Sequence, residues 1–233
     1  MKIGIISDIH GNHYALEQVL ASAKQSKVDK LLILGDIVGY YYHPDNAMDM
    51  LKNWDYELIQ GNHERIMEQL AVGDIEISSL KEKYGSAHQI AIEKLSKAHF
   101  EELVNAPEKK VIKVDGMNVL MCHGSNWDAD YYLYPDASVE VLEKCNEPAM
   151  DFVVIGHSHY QFAYRNINST LINVGSVGQS RAIGGVANWA VINTLNKSFE
   201  LKSTTYHTSP LLHEVKQVDP EVNYLQEILK RNN

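Results

Sequence analysis

The chain has 233 residues, 45% of them hydrophobic and 22% charged. That balance suits a globular domain with a substantial core and excludes a disordered or collagen-like polymer. A formal net charge of −9 leaves no global basic field for gripping a nucleic-acid backbone, so long DNA or RNA is disfavoured and an anionic ligand needs a local positive centre.

In chain order, Lys2 to Ser7 reads as a buried strand, and Tyr14 to Ala23 as a helix with Leu16, Val19, Leu20 and Ala23 at helical spacing. Lys30 to Leu34 is a second strand, Pro44 to Leu51 a short helix opened by its proline, and Tyr56 to Ile59 a third strand. This alternation predicts parallel pairing with right-handed crossovers. Glu64 to Asn105 holds only helical patterns, such as Ile66, Met67, Leu70 and Ile90, Ile92, Leu95, broken around Gly73 and Gly85. Beyond Pro107, Lys110 to Val114 and Asn118 to Cys122 flank Asp115-Gly116, a hairpin signal. A helix around Ser138 to Cys145 follows. Strands are then expected at Phe152 to Ile155, Gln161 to Arg165, Thr170 to Asn173, Trp189 to Asn193 and Ser198 to Thr205, with a closing helix near Pro220 to Leu229. Without repeats or linkers, one domain spanning 1–233 with a helical excursion at about 64–105 is expected. The class is α/β, with a mixed sheet or two facing sheets between helical layers. Cys122 and Cys145 are too few for a disulfide framework and read as reduced core thiols. The first apolar run is too short for a signal-peptide core and no later stretch would span a bilayer, so a cytoplasmic location without a membrane partner is expected.

The polar residues that look out of place all follow predicted strands. Asp8 and His10 end the first, Asp36 in "LGDIVG" the second, and Asn62 and His63 in "QGNHE" the third. His123 in "MCHGS" and His157 with His159 in "IGHSH" do the same later. Ligands gather beyond the carboxyl ends of strands in open α/β sheets, so these residues can converge although distant in sequence. Each cluster alone has an ordinary reading as a turn, a cap or a surface histidine. Together, five strand ends supply the oxygen and imidazole donors that divalent cations take, which points to metal binding.

These blocks, DxH, GD, GNHE, a lone H followed by glycine, and GHxH, resemble the signature of the calcineurin-like metallophosphoesterases. The likeness runs from Met1 to about Asn193 and is nearest the compact bacterial and archaeal phosphodiesterase-like branch, through "SDIHGNHYAL", "GDIVGYYYHPD", "HGS" and "NVGSVGQSR". It implies a four-layer αββα sandwich of two facing mixed sheets flanked by helices. It also implies two divalent cations, Mn first with Fe, Zn, Co or Ni as alternatives. One would be held by Asp8, His10, Asp36 and His159, the other by Asp36, Asn62, His123 and His157, with a metal-bridging hydroxide as nucleophile. By the same resemblance His63 is not a ligand but the catalytic group that hydrogen-bonds the phosphoryl group or protonates the leaving oxygen.

The chain departs from the branch in places. Tyr40, Tyr41, Tyr42 and His43 stand where GYGP is usual, so the aromatic run either narrows the cleft, stacks a base, or packs on its own surface. HGSP becomes His123-Gly124-Ser125-Asn126, and NPGSVG becomes Asn173-Val174-Gly175-Ser176-Val177-Gly178. Arg181, just past that turn, is a candidate substrate contact because a guanidinium can bond two phosphoryl oxygens. His88 and His99 in predicted helices, His207 and His213 near the C-terminus, and His13 at a helix start are assigned no role. The expected activity is hydrolysis of a small phosphodiester or nucleotide; the alternatives are a phosphomonoesterase of the same fold and a non-catalytic protein-binding scaffold resembling a retromer subunit. The sequence is silent on oligomeric state.

Overall fold

The computed structural model describes residues 1–232. Strands β1 (Lys2–Ile6), β2 (Lys30–Ile33) and β3 (Tyr56–Leu58) alternate with helices α1 (His13–Gln25) and α2 (Pro44–Leu51). Four helices follow: α3 (Asn62–Val72), α4 (Ile77–Tyr84), α5 (Ala87–Lys94) and α6 (Lys97–Val104). Strands β4 (Lys109–Val114) and β5 (Met117–Cys122) form the hairpin over Asp115-Gly116. After the short helix α7 (Val139–Glu143) come β6 (Phe152–Ile155), β7 (Gln161–Arg165), β8 (Thr170–Val174), β9 (Val186–Asn193) and β10 (Ser198–Thr205). The last helices are α8 (Ser209–Val218) and α9 (Asn223–Lys230).

Two five-stranded mixed sheets result, ordered β10-β9-β1-β2-β3 and β4-β5-β6-β8-β7. In the first, β1, β2 and β3 run parallel, β9 pairs antiparallel with β1 and β10 antiparallel with β9; in the second, β5, β6 and β8 run parallel between antiparallel edges. The apolar run of β2 shows why the layers stack. Leu32 and Leu34 face the gap between the sheets with Ile3, Ile5, Val119, Met121, Val154 and Ile172. Leu31 and Ile33 point the other way, into a helical layer built on Leu16, Val19, Met67, Leu103, Leu211 and Leu225. A strand buried on both faces must be apolar throughout rather than alternating. Beyond the second sheet, Cys122, Val153, Ile155 and Leu171 are covered by Leu133, Leu142 and Cys145, both cysteines being free and buried. The order is helix, sheet, sheet, helix, with the outer layer on the second sheet much thinner.

Helix α8 has no counterpart among the predicted elements. Its buried face rests on Leu211 and Val215 alone, and Pro210 sits in its first turn. So sparse an apolar stripe is hard to separate from loop. Among the described residues, no helix is long and apolar enough to cross a membrane.

Candidate metal centre

Parallel strands put their carboxyl ends on the same edge of a sheet, and the donors sit just beyond those ends. Asp8 and His10 follow β1, Asp36 follows β2, Asn62 and His63 follow β3, His123 follows β5, and His157 and His159 follow β6. The two sheets face each other, so the edges meet and the side chains converge. His159 Nε2 lies 3.1 Å from Asp8 Oδ1 and 3.1 Å from His10 Nε2. His123 Nε2 lies 3.3 Å from Asp36 Oδ2, 3.0 Å from His157 Nδ1 and 3.1 Å from Asn62 Oδ1. Asp36 stands between these halves, its Oδ2 being 3.8 Å from His10 Nε2 while its Oδ1 accepts the His63 N–H at 2.8 Å.

Backbone carbonyls assign the tautomers of four of these histidines. Nδ1–H of His10 donates to Val38 O (2.9 Å), that of His123 to Leu34 O (2.7 Å) and that of His159 to Gln179 O (2.7 Å). His157 is reversed, its Nε2–H donating to Asp130 O at 3.1 Å. A ring nitrogen whose partner nitrogen donates to a carbonyl presents a lone pair. The close pair His10–His159 therefore sets lone pair against lone pair, as does His123–His157 when His123 is neutral, and His159 also faces Asp8 Oδ1, a buried oxygen with no hydrogen-bond donor. Acceptors held at 3 Å repel unless a cation lies among them. This donor set fits a metal site, of the mixed imidazole and oxygen type that divalent transition metals occupy.

The field at the centre agrees. Burial opposes a charge on His123, yet the carboxylates of Asp36 and Asp8 overcome it and raise the imidazole to about 10. Burial dominates at His10 and His157 and drives each down to about 4. Asp36 is held well below the usual carboxylate range: burial works to raise it, but His123 and His63 prevail. The same negative field that draws a proton to His123 would draw a cation.

Five of the donors, Asp8, His10, Asp36, His157 and His159, have φ between 52° and 62°. Left-handed backbone is uncommon for non-glycine residues, with Asp and His among the more tolerant, and such outliers cluster at active sites and ligand clamps. The loops are pinned around them. Asp8 N–H donates to Gly35 O (3.1 Å), Gly178 N–H to Asp8 O (2.9 Å), and His157 N–H crosses between the sheets to Asp8 Oδ2 (3.0 Å). Glu64 accepts from the N–H groups of Asp36, Ile37 and Gly61, tying the second loop to the third. Gly61 and Gly156 leave room for this, since a Cβ on either would collide with the carboxylate of Asp36 or Asp8. The "NVGSVGQSR" stretch gains a reason: Asn173 Nδ2 donates to Gly156 O (2.9 Å), and Gln179 O takes the His159 proton.

A model of the calcineurin-like phosphoesterase superfamily domain matches residues 1–197. The chain belongs to that superfamily. It is 27% identical to an uncharacterized protein of Methanocaldococcus jannaschii over 225 residues, which span 88% of this chain and 87% of the relative. Two solved structures share its fold. A hypothetical protein from Pyrococcus horikoshii OT3 superposes with a TM-score of 0.85 at 19% identity, covering 99% of each chain. A metallophosphoesterase from Sphaerobacter thermophilus does so with 0.79 at 23% identity, covering 98% of each. An archaeal phosphodiesterase is more distant, with a TM-score of 0.51 at 18% identity over 87% of this chain and 99% of that one.

Around the metal centre of this phosphoesterase domain stand residues that no motif named. His63 is buried, and its Nδ1 is 3.0 Å from Nε2 of His88 on α5. The two rings stack 5.0 Å apart and nearly parallel, at 4°. His88, without a role in the sequence, thus braces the ring of His63. The only signal for it is a histidine on an otherwise apolar helical face. The three tyrosines divide: Tyr41 and Tyr42 are core residues, Tyr42 donating to Asp219 Oδ2 at 2.9 Å. Tyr40, with φ 61°, packs edgewise on His10 at 4.6 Å and against His63 at 4.9 Å. His13 heads α1 and meets His43, whose Nε2 is 3.0 Å from Glu214 on α8, away from the donors.

Arg181 lies outside the donor cluster. Its guanidinium sits 5.4 Å over the ring of Tyr132, which itself packs 3.9 Å from the His157 ring. Two cavities open beside the centre. One, of about 420 Å³, is lined by Tyr40, Glu82, Lys83, Arg181 and Tyr224. The other, of about 290 Å³, is lined by Asn62, Arg65, Gln69, Asp130, Tyr132 and His157 among others. Tyr132 and Arg181, one on the other, form the wall between them.

Proposed function

We propose that this chain hydrolyses small phosphodiester or nucleotide substrates at a centre of two divalent cations, with manganese the first candidate. The observation that carries the reading is the convergence of buried imidazole and carboxylate acceptors, His10 and His159 facing each other and Asp8 Oδ1, which a bound cation reconciles. Asp8, His10, Asp36 and His159 would hold one cation, and Asp36, Asn62, His123 and His157 the other. Asp36 Oδ2, which faces both halves, would be shared. When bound, such a pair polarises phosphoryl oxygens and lowers the pKa of water toward neutrality.

The chain's own groups do the rest. His63, braced by His88, stands with its ring 4.9 Å from that of His10, where it would hydrogen-bond a phosphoryl oxygen or deliver a proton to the leaving oxygen. Arg181 supplies a fixed positive charge at the cavity wall for the substrate's anionic oxygens. A diester bears two organic arms, and the two cavities offer one place beside each half of the donor cluster; a monoester needs a single arm. The archaeal phosphodiesterase of the same fold is in keeping with that choice.

The test is initial hydrolysis of an aryl phosphodiester beside the matching aryl phosphomonoester, with chelator-stripped protein and with added Mn²⁺. Activity restored by manganese and favouring the diester is expected, and His63→Ala should lower turnover about a hundredfold or more while retaining metal. A monoester preference would make the protein a phosphatase. Inertness toward both with metal bound would sink the catalytic reading and leave a scaffold, whereas unchanged turnover in His63→Ala would remove His63 from the catalytic role.

A further inference from the structure

The larger cavity is assembled mostly from parts of the chain that do not carry donors. Tyr40 comes from the loop after β2 and Arg181 from the loop after β8, but Glu82 and Lys83 come from α4 and Tyr224 from α9. Tyr224 lies beyond residue 197, where the match to the superfamily domain ends. The cavity thus joins residues of the matched domain to a C-terminal helix beyond it, beside the candidate metal centre, which is where substrate choice is expressed.

Its lining has a distinct chemistry. Tyr40 and Tyr224 stand with ring centroids 6.2 Å apart and planes at 48°, and Tyr84 meets Tyr40 edge-on at 5.2 Å. Tyr224 is 37% exposed, and its hydroxyl reaches Gln179 Oε1 at 3.4 Å, so the ring is held at the mouth with a face open to solvent. Lys83 Nζ lies 4.8 Å over the Tyr84 ring and the Arg181 guanidinium 5.4 Å over Tyr132. Among the described residues, neither cation forms a salt bridge with a carboxylate, although the chain as a whole is strongly acidic. Two unpaired cations among aromatic faces, on an anionic surface, complement a ligand that is flat, aromatic and negatively charged. The volume falls within the range of about 300–1,000 Å³ typical of small-ligand sites.

We infer that this cavity is a nucleobase subsite: it holds the base of a nucleoside phosphate on the exposed ring of Tyr224, with the buried Tyr40 at its floor and Arg181 and Lys83 on its phosphate oxygens. The inference rests on the phosphoesterase reading only for what happens to the phosphate, because Tyr40 joins the cavity directly to His10 and His63. Glu82 adds an acceptor at the rim for an exocyclic amine.

Binding and turnover test it separately. Calorimetric titration of AMP and of ribose 5-phosphate into the manganese-loaded protein should show AMP bound more tightly by about fivefold or more, the worth of one base–tyrosine stack. Tyr224→Ala should remove most of that advantage, and Tyr224→Phe, which keeps the ring, should restore it. In turnover, an adenosine 5′-aryl phosphodiester should exceed a methyl aryl phosphodiester with the same leaving group in kcat/KM, and Tyr224→Ala should shrink that ratio. Equal affinity for AMP and ribose 5-phosphate, no AMP binding at millimolar concentration, or an advantage that survives Tyr224→Ala would overturn the subsite. Base-dependent binding without hydrolysis of either ester would instead overturn the phosphoesterase reading and leave the subsite standing.

Discussion

The loops that hold the donors and the helices that cover them are built on opposite terms. In the loops, Asp8, His10, Asp36, His157 and His159 all take left-handed backbone, whereas from 62 to 104 only Gly73 and Gly85 have positive φ. Each strained residue costs on the order of 1 kcal/mol or more and persists because the surroundings over-determine it. Here the surroundings are backbone bonds between loops of both sheets, such as Gly178 N–H to Asp8 O and His157 N–H to Asp8 Oδ2. The helical cover is relaxed, and it brings His88, Lys83 and Tyr224 to the centre from ordinary helical positions. The candidate metal donors thus lie in the part that cannot drift, and most of the cavity lining in the part that can change without disturbing them.

The sharpest way to break this contrast is Asp36→Asn. Asparagine tolerates the left-handed backbone and keeps the oxygen that accepts the His63 N–H, so the loop survives while the shared negative charge is lost. Activity should fall about a thousandfold or more, with reduced metal content by elemental analysis. A variant that folds, keeps two metals and stays active would remove Asp36 from the bridging position.

On the helical side, His88→Phe should lower kcat by about ten- to a hundredfold with KM and metal content little changed, the size expected when a supporting partner of a reactive group is lost. His88→Gln, whose amide can reach the same point, should recover part of the loss. A purely structural role would instead lower thermal stability and leave both variants equally impaired.

Metal should also act on stability, because it relieves the acceptor pairs that the donor loops hold together at 3.1 Å. Saturating Mn²⁺ at about a hundred times its dissociation constant should stabilise the chelator-stripped protein by about 2.7 kcal/mol, or about 5–10 °C in Tm for a chain of this length. An unchanged Tm would mean that the lone pairs find another partner.

The mildest probe concerns a region away from both. Burial pushes the Cys145 thiol up to about 12, so at pH 8 almost none is thiolate. Alkylation of the folded protein should be slow at that pH and fast after unfolding, and raising the pH toward 12 should speed it as thiolate forms. Rapid labelling at pH 8 would show that the thin layer over the second sheet opens.

Much of the site was legible before any fold was known. Donor residues after apolar runs, beside glycines, form short local patterns, and the chemistry of Asp, Asn and His is intrinsic to the side chain. The strands were legible for the same reason, since burial on both faces demands continuous apolar runs. His88 was not, because a histidine on an apolar helical face reads as core wherever it lies, and only the packing of α5 on α3 sets it 3.0 Å from His63. Nor was the division of the tyrosines, three neighbours of one type whose fates depend on which way a left-handed residue at 40 turns the chain.

By itself, then, the sequence determined the donor set, the parallel strands and the superfamily, because each is written in contiguous residues. Tertiary structure decided the tautomers, the facing lone pairs, the brace on His63 and the aromatic cavity. Those depend on carbonyls, rings and cations that meet only when two sheet edges and the helices over them are brought within a few ångströms of one another.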